Sequence, residues 1–378
     1  MKTRYFTRYN KMIPVCEPTI CGNELKYVTD CIKTNWISSN GEYINEFEEK
    51  FAEYCGAKHG VSCCNGTTAI HLALTASGIG KDDEVVVPTF TMIGSVNPII
   101  YCGAKPVFVD AEPDTWNMDI SKLEDKITNK TKAILPVHIY GHPVDMGPLL
   151  KLAEKYGLSI IEDAAEAHGA QYKGRKVGGL GNMGCFSFYA NKIITTGEGG
   201  MVITNNDKLA ERLRSLKNHA FGIPRFIHNE IGYNYRMTNL QAAMGLAQFE
   251  QIDKFIEARR EHAHKYNSLL KEVEGITLPT EKDWAKNVYW MYGILIEDSF
   301  GISKDETMKK LKGLGIETRS FFLPMHQQPA YTKMGLQLDE VFPVSEGLHK
   351  KGLYLPSSSS LTDNQIKTVV EGIKAMKK

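Results

Sequence analysis

Seven short apolar runs, at residues 60–64, 84–87, 106–109, 133–137, 159–162, 184–189 and 201–204, constrain this chain more than any other feature. Each has the length of a strand and is apolar on both sides, so neither face suits water. Helical patterns separate most of them, for example at 68–76, 121–126 and 148–156. Strands of this kind predict an α/β fold with a mainly parallel, seven-stranded sheet covered by helices. Ligands of such sheets bind beyond the carboxyl ends of the strands.

The flanking stretches complete the outline. Residues 1–22 read as an irregular lead-in with a prolyl turn near Pro18. Ile44, Phe47, Phe51 and Tyr54 recur at helical spacing up to Gly56. Between these lies a loop, Asn35 to Gly41, whose Trp36 is either exposed or a packing anchor. Residues 240–273 read as one long helix joining a large unit (1–250) to a smaller C-terminal α/β unit (251–378). The smaller unit has strands expected at 288–296, 316–320 and 352–355, and helices at 304–314 and 362–376.

Charge and cysteine content exclude several classes. Lys+Arg 45 against Asp+Glu 44 leaves a net charge of +1. No overall field draws nucleic acid or an anionic membrane, so selectivity must come from local sites. The 8 cysteines contain no Cys-x-x-Cys pair, and most lie inside apolar runs, as buried free thiols of a reducing compartment do. The spacing of Cys55, His59 and Cys63 does not suit zinc, so no metal is expected. Lys2, Arg4, Arg8 and Lys11 precede no apolar segment of signal-peptide type. No window approaches the ~20 apolar residues of a membrane span, and a cytoplasmic protein is expected.

The chemistry concentrates at strand ends. The run ending at Tyr189 delivers Lys192, followed by Thr195-Thr196-Gly197-Glu198-Gly199-Gly200 before the next apolar run. Lys192 reads as a surface hairpin lysine or, if partly desolvated, as a Schiff-base nucleophile. Asn65-Gly66-Thr67-Thr68 turns a strand into a helix, which makes either an ordinary cap or an anion site on free backbone N–H groups. Asp163 ends a buried strand, where it needs a cationic partner, several donors, or a capping role. Gly179-Leu180-Gly181-Asn182-Met183-Gly184 matches a dinucleotide fingerprint. A Gly-rich turn precedes it and an aromatic strand follows it, the reverse of what that fingerprint requires. Taken together, a phosphate cradle, an aspartate and a lysine in one α/β domain are the parts that hold pyridoxal 5′-phosphate. Ser187 is placed to add a hydroxyl to the phosphate.

These residues resemble the sugar-nucleotide aminotransferases of the DegT type, a branch of the aspartate-aminotransferase fold (fold type I of the pyridoxal-phosphate enzymes). The resemblance spans nearly the whole chain. It runs through Trp36-Ile37-Ser38, Asn65-Gly66-Thr67, Glu162-Asp163-Ala164-Ala165-Glu166, the Lys192 stretch, Gly232-Tyr233-Asn234-Tyr235-Arg236-Met237-Thr238 and Pro324-Met325-His326. Within that family Asn191 to Gly197, Val137 to His142 and Gly315 to Arg319 are similar to GDP-perosamine synthases, which aminate C4 of GDP-4-keto-6-deoxy-mannose.

The resemblance implies that Lys192 carries the cofactor and shuttles the proton, and that Asp163 pairs with the pyridinium nitrogen. It gives the phosphate to Gly66, Thr67 and Ser187, with Asn234 entering from the other subunit of a homodimer. It also marks Trp36, Ser38, Tyr140, Arg236 and His326 as substrate contacts. The reaction it implies is ping-pong transfer from L-glutamate to a nucleotide-linked 4-keto sugar in cell-surface glycan synthesis. UDP- and dTDP-sugars are the alternative acceptors, and a non-catalytic regulator or binding protein is the alternative of a different class. Two positions depart from the wider family. Glu166 stands where glutamine is usual near the cofactor's O3′, so it should be protonated or hydrogen-bonded as glutamine would be. Met92 stands where an aromatic ring often covers the cofactor.

Overall fold

The computed structural model describes residues 12–336 and 340–377. All seven predicted runs form strands of a single sheet: β1 (His59–Cys63), β2 (Glu84–Pro88), β3 (Lys105–Val109), β4 (Thr131–Ile134), β5 (Ser159–Asp163), β6 (Met183–Ser187) and β7 (Gly200–Thr204). Their order is β1-β7-β6-β5-β4-β2-β3. β7 runs against both of its neighbours and the remaining pairings are parallel. Val85, Val86 and Val87 of β2 are fully buried. Each such side chain contributes about 1.5–3 kcal/mol by leaving water. Helices Glu42–Tyr54, Gly66–Ala76, Met146–Tyr156 and Asp207–Lys217 pack against the sheet.

A second sheet lies in the C-terminal part, antiparallel throughout. Its order is Ile276–Thr277, Tyr292–Ile296, Gly352–Leu355, Arg319–Ser320. Tyr266, Ile294, Leu353, Ile366 and Ile373 belong to a separate apolar core formed with helices Ile252–Leu270 and Asp363–Lys374.

Several expectations change. The long pattern at 240–273 is two helices, Asn239–Phe249 and Ile252–Leu270. No glycine or proline breaks it. Instead Glu250 accepts from Asn23 Nδ2 at 2.7 Å and Tyr27 Oη at 2.6 Å, and Gln251 leaves helical geometry at φ −109°, ψ 4°. The helix expected at 121–126 is two 3₁₀ turns, Ile120–Lys122 and Glu124–Lys126. The strands expected at 288–296 and 316–320 shorten to Tyr292–Ile296 and Arg319–Ser320.

Residues 1–11 of the lead-in lie outside the described residues. Its remainder makes no turn at Pro18 and is tied along its length, with Ser357 N–H donating to Val15 O at 2.8 Å and Glu17 N–H to Ser358 Oγ at 2.8 Å. Helix Glu24–Thr34 went unpredicted because its larger apolar side chains Leu25 and Ile32 face outward. Among the described residues no helix is long and apolar enough to cross a membrane.

Candidate active site

A cavity of about 420 Å³ opens where β2, β4, β5 and β6 end. It brings together Gly66, Thr67, Met92, Asp163, Glu166, Ser187 and Lys192, which the sequence scatters over four strand ends.

The cradle follows from one cap. Asn65 Oδ1 accepts the Thr68 N–H at 2.9 Å, and Thr68 Oγ1 accepts the Asn65 N–H at 3.2 Å. That reciprocal pair opens helix Gly66–Ala76 and leaves the N–H groups of Gly66 and Thr67, the first two of the helix, without an intrahelical acceptor. A Cβ at position 66 would stand 2.7 Å from Ser187 Cβ, so only glycine lets the helix end approach the Ser187 hydroxyl. Two free amides, a hydroxyl and the positive end of a helix dipole form a site for a phosphate dianion.

Asp163 is buried at the end of β5. Its Oδ2 accepts from Ser95 Oγ at 2.6 Å and its Oδ1 from the Ala165 N–H at 3.1 Å. Burial raises its carboxyl above the usual range, opposed by those two bonds and by Lys192. A cation at the cavity wall is the partner this carboxylate lacks. Glu166 Oε2 accepts the Tyr140 N–H at 2.8 Å, and burial pushes its carboxyl up to about 7. The proton expected on Glu166 is therefore within reach near neutrality, as a glutamine-like donor. Lys192 projects from the turn after β6. Burial lowers its amine below the ordinary value, and Glu166 and Asp163 oppose that shift. A partly desolvated amine of this kind is a competent nucleophile. Met92 lines the wall, its Sδ accepting the Gly94 N–H at 2.8 Å.

The remaining predicted residues lie off this wall. Tyr140 is buried behind it among Phe90, Phe321 and Tyr354, and its backbone N–H holds the wall residue Glu166. His326 is held by Thr89 Oγ1 at 2.8 Å and Glu346 at 3.2 Å. Trp36 and Ser38 are exposed, their carbonyls accepting from Asn239 Nδ2 at 2.8 Å and Asn239 N–H at 2.6 Å. Asn234 is exposed, and Arg236 grips its Oδ1 through Nε at 3.1 Å and Nη2 at 2.7 Å.

The glycine-rich decoy has its own anion. Gly178, Leu180 and Gly181 aim their N–H groups at the Glu162 carboxylate at 2.7, 2.8 and 2.6 Å. The loop folds around an internal carboxylate where the fingerprint would hold a pyrophosphate.

Sequence reasoning missed Thr91, Ser95, Trp290, Arg319 and Tyr354, all on the cavity wall. The hydroxyls Thr91 and Ser95 flank Met92 in a loop after β2, a position that predicts ligand contact. Trp290 and Arg319 come from the C-terminal sheet region; Arg319 ends the Gly315 to Arg319 stretch, which carried the resemblance without marking it as a wall residue, and Trp290 carries no local motif.

The sequence profile of the DegT/DnrJ/EryC1/StrS aminotransferase family matches residues 18–374. The chain belongs to this family. As a DegT/DnrJ/EryC1/StrS aminotransferase it uses pyridoxal 5′-phosphate, and the cradle, Asp163 and Lys192 fit that group. It is 47% identical over 363 residues to a GDP-perosamine synthase of Caulobacter vibrioides, covering 96% of this chain and 97% of the relative. It is 45% identical to the GDP-perosamine synthase of Escherichia coli O157:H7, over 96% of this chain and 98% of the relative. Among solved structures it is similar to DesV of S. venezuelae, with a TM-score of 0.89 at 34% identity over 94% of this chain and 95% of that one.

Proposed function

We propose that this aminotransferase moves the amino group of L-glutamate to C4 of GDP-4-keto-6-deoxy-D-mannose, giving GDP-perosamine for cell-surface glycan synthesis in the cytoplasm. One observation carries the chemistry: the Lys192 amine shares a cavity with Asp163, Glu166 and the free amides of Gly66 and Thr67. The near-full-length identity to GDP-perosamine synthases supports the choice of sugar.

When bound, pyridoxal 5′-phosphate supplies the electron sink that lets an amino group change carbon. Asp163 would balance the charge of its ring nitrogen, Gly66, Thr67 and Ser187 would hold its phosphate, and Met92 and a protonated Glu166 would line the ring's site. Lys192 would hold the group and act as the acid–base that moves the proton.

In this reading residues 1–250 hold the cofactor, and residues 251–378 close the cavity with Trp290, Arg319, Phe322 and Tyr354. The protein acts as a homodimer with Asn234 entering the partner's cavity. Arg236 occupies the Asn234 carbonyl oxygen and leaves its amide N–H groups as donors for a phosphate. Ile223, Phe226 and Ile231 on the preceding loop are exposed at 99%, 72% and 88%, as an uncovered interface would be. Trp36, Ser38, Arg236, His326 and the region of Tyr140 then shape the sugar and nucleotide sites from both subunits.

The test is a substrate panel. The protein is incubated with L-glutamate and GDP-, UDP- or dTDP-linked 4-keto-6-deoxy sugars, and the mass of each sugar product is read. Conversion of the ketone to an amine only with the GDP-sugar is the expected result. Amination of the UDP- or dTDP-sugar in its place overturns the sugar assignment.

A further inference from the structure

The Lys192 amine and the Trp290 indole are joined at both ends. Lys192 Nζ sits 3.8 Å from the centroid of the Trp290 ring. The indole N–H donates to the carbonyl of Asn191, the residue before the lysine, at 2.8 Å. The peptide that carries the lysine therefore also fixes the ring on which the lysine tip rests. Trp290 is only 4% exposed and lines the cavity.

Its backbone is anchored by a buried guanidinium. Arg259 Nη1 donates to the Trp290 carbonyl at 2.8 Å and to the Ser357 carbonyl at 2.5 Å, and Nη2 reaches Cys16 Sγ at 3.6 Å. Cys16 Sγ in turn donates to the same Asn191 carbonyl at 3.3 Å. Four separated parts of the chain thus converge to hold one aromatic face against one amine.

We propose that Trp290 is the positioning residue for Lys192: its indole face seats the amine whenever the amine is not bonded to the cofactor, holding it at the point of proton transfer and favouring its charged form. The inference rests on Lys192 being the acid–base group, and is independent of which sugar is used. The face of an indole carries negative quadrupole charge and attracts an ammonium, most strongly where water is excluded.

Burial works against the charged amine. The carboxylates of Glu166 and Asp163 and the thiol of Cys16 work for it. His168, buried nearby, is held neutral by burial, and Glu198 and Arg319 line the same cavity. Trp290 is the one contact in this set that favours the ammonium without titrating. It can be altered without changing any charge around Lys192.

The experiment titrates Lys192 in the cofactor-free full-length chain. A small amine-acylating reagent is applied across a pH series, and modification of Lys192 is read by mass spectrometry of its peptide. Wild type is compared with Trp290→Leu and with protein whose 4 tryptophans are replaced by fluorotryptophans, which keep the ring shape and weaken its face. In Trp290→Leu the midpoint should fall by about one pH unit. It should fall in graded steps as fluorine is added, a readout that survives even if the leucine variant does not fold. A structural role alone would lower activity and leave the midpoint in place. A wrong sugar would change the product masses of the substrate panel and not this titration. A midpoint unmoved by fluorination overturns the proposal.

Discussion

Glu162 and Asp163 are consecutive on β5 and serve opposite sides of the sheet. Asp163 looks into the cavity beside Lys192, whereas Glu162 accepts from three loop amides and lies 3.0 Å from His138 Nε2, both side chains being fully buried. The alternation of a strand makes this division unavoidable. His138 also accepts the Val144 N–H at Nδ1 (3.0 Å), so its Nε2 carries the proton that Glu162 receives. This pair fixes the segment after β4, whose Tyr140 N–H in turn holds Glu166.

Removing the Glu162 carboxylate should therefore be among the most damaging single changes in the large sheet. Glu162→Ala leaves one buried amide, two half-buried ones and a buried imidazole N–H without an acceptor, at a cost of about 3–5 kcal/mol. Glu162→Gln keeps one acceptor oxygen but turns an N–H2 toward donors, so its loss should be intermediate. Denaturant midpoints should fall in the order wild type, glutamine, alanine. Equal midpoints for wild type and alanine would refute the anchoring role.

Glu166 predicts a pH signature. Its carboxyl titrates near 4.5 in the unfolded chain and at about 7 in the folded one. Between those values the folded protein keeps a proton that the unfolded chain has lost, so this contribution falls as pH rises through the window. Relative to Glu166→Gln, the wild type should lose as much as ~3 kcal/mol of stability between about pH 4 and pH 8. The glutamine variant should bind the cofactor, since its amide supplies the donor that protonated Glu166 supplies. A parallel pH dependence in both proteins, or loss of the cofactor's visible absorbance in the variant, would contradict this account.

The legible and the hidden parts of this fold divide along physical lines. β2 and β5 are continuous apolar runs because both of their faces are covered, and a property so local reads directly. Lys192, Asp163 and Gly66 were readable for a related reason, since ligands gather at the ends of such strands. Helix Glu24–Thr34 was hidden because Leu25 and Ile32 point away from the core. The break at Gln251 was hidden because no glycine or proline marks it, and the Asn23 and Tyr27 contacts to Glu250 beside it come from far along the chain. Trp290 shows the same limit in the site, since it meets Lys192 only through tertiary packing.

Gly66 predicts a separation of folding from cofactor binding. Gly66→Ala drives a methyl toward Ser187 Cβ at 2.7 Å, at the first position of a helix where alanine is otherwise welcome. Strain of ~1–3 kcal/mol should open the helix end away from the hydroxyl. The expected result is a cofactor affinity weakened about 10-fold to 100-fold with near-unchanged circular dichroism. Wild-type affinity in this variant would show that the close approach of helix and Ser187 is not needed.

The proposed sharing of the active site between two subunits makes a prediction that no single variant can test. Lys192→Ala removes the amine proposed to move the proton and should cost at least about 10³-fold in both half-reactions. If Asn234 serves the neighbouring cavity as proposed, Asn234→Ala should weaken each site from the other subunit, through loss of the amide donor that Arg236 leaves open. The two variants are then denatured, mixed in equal amounts and refolded. In a mixed dimer one cavity has lost both groups, while the other combines the Lys192 of one subunit with the Asn234 of its partner. Random pairing should restore roughly a quarter of the wild-type sites, from two parents that are each impaired. Activity no greater than the mean of the parents would mean that Asn234 does not serve the neighbouring cavity, and that its grip by Arg236 stabilises its own subunit alone.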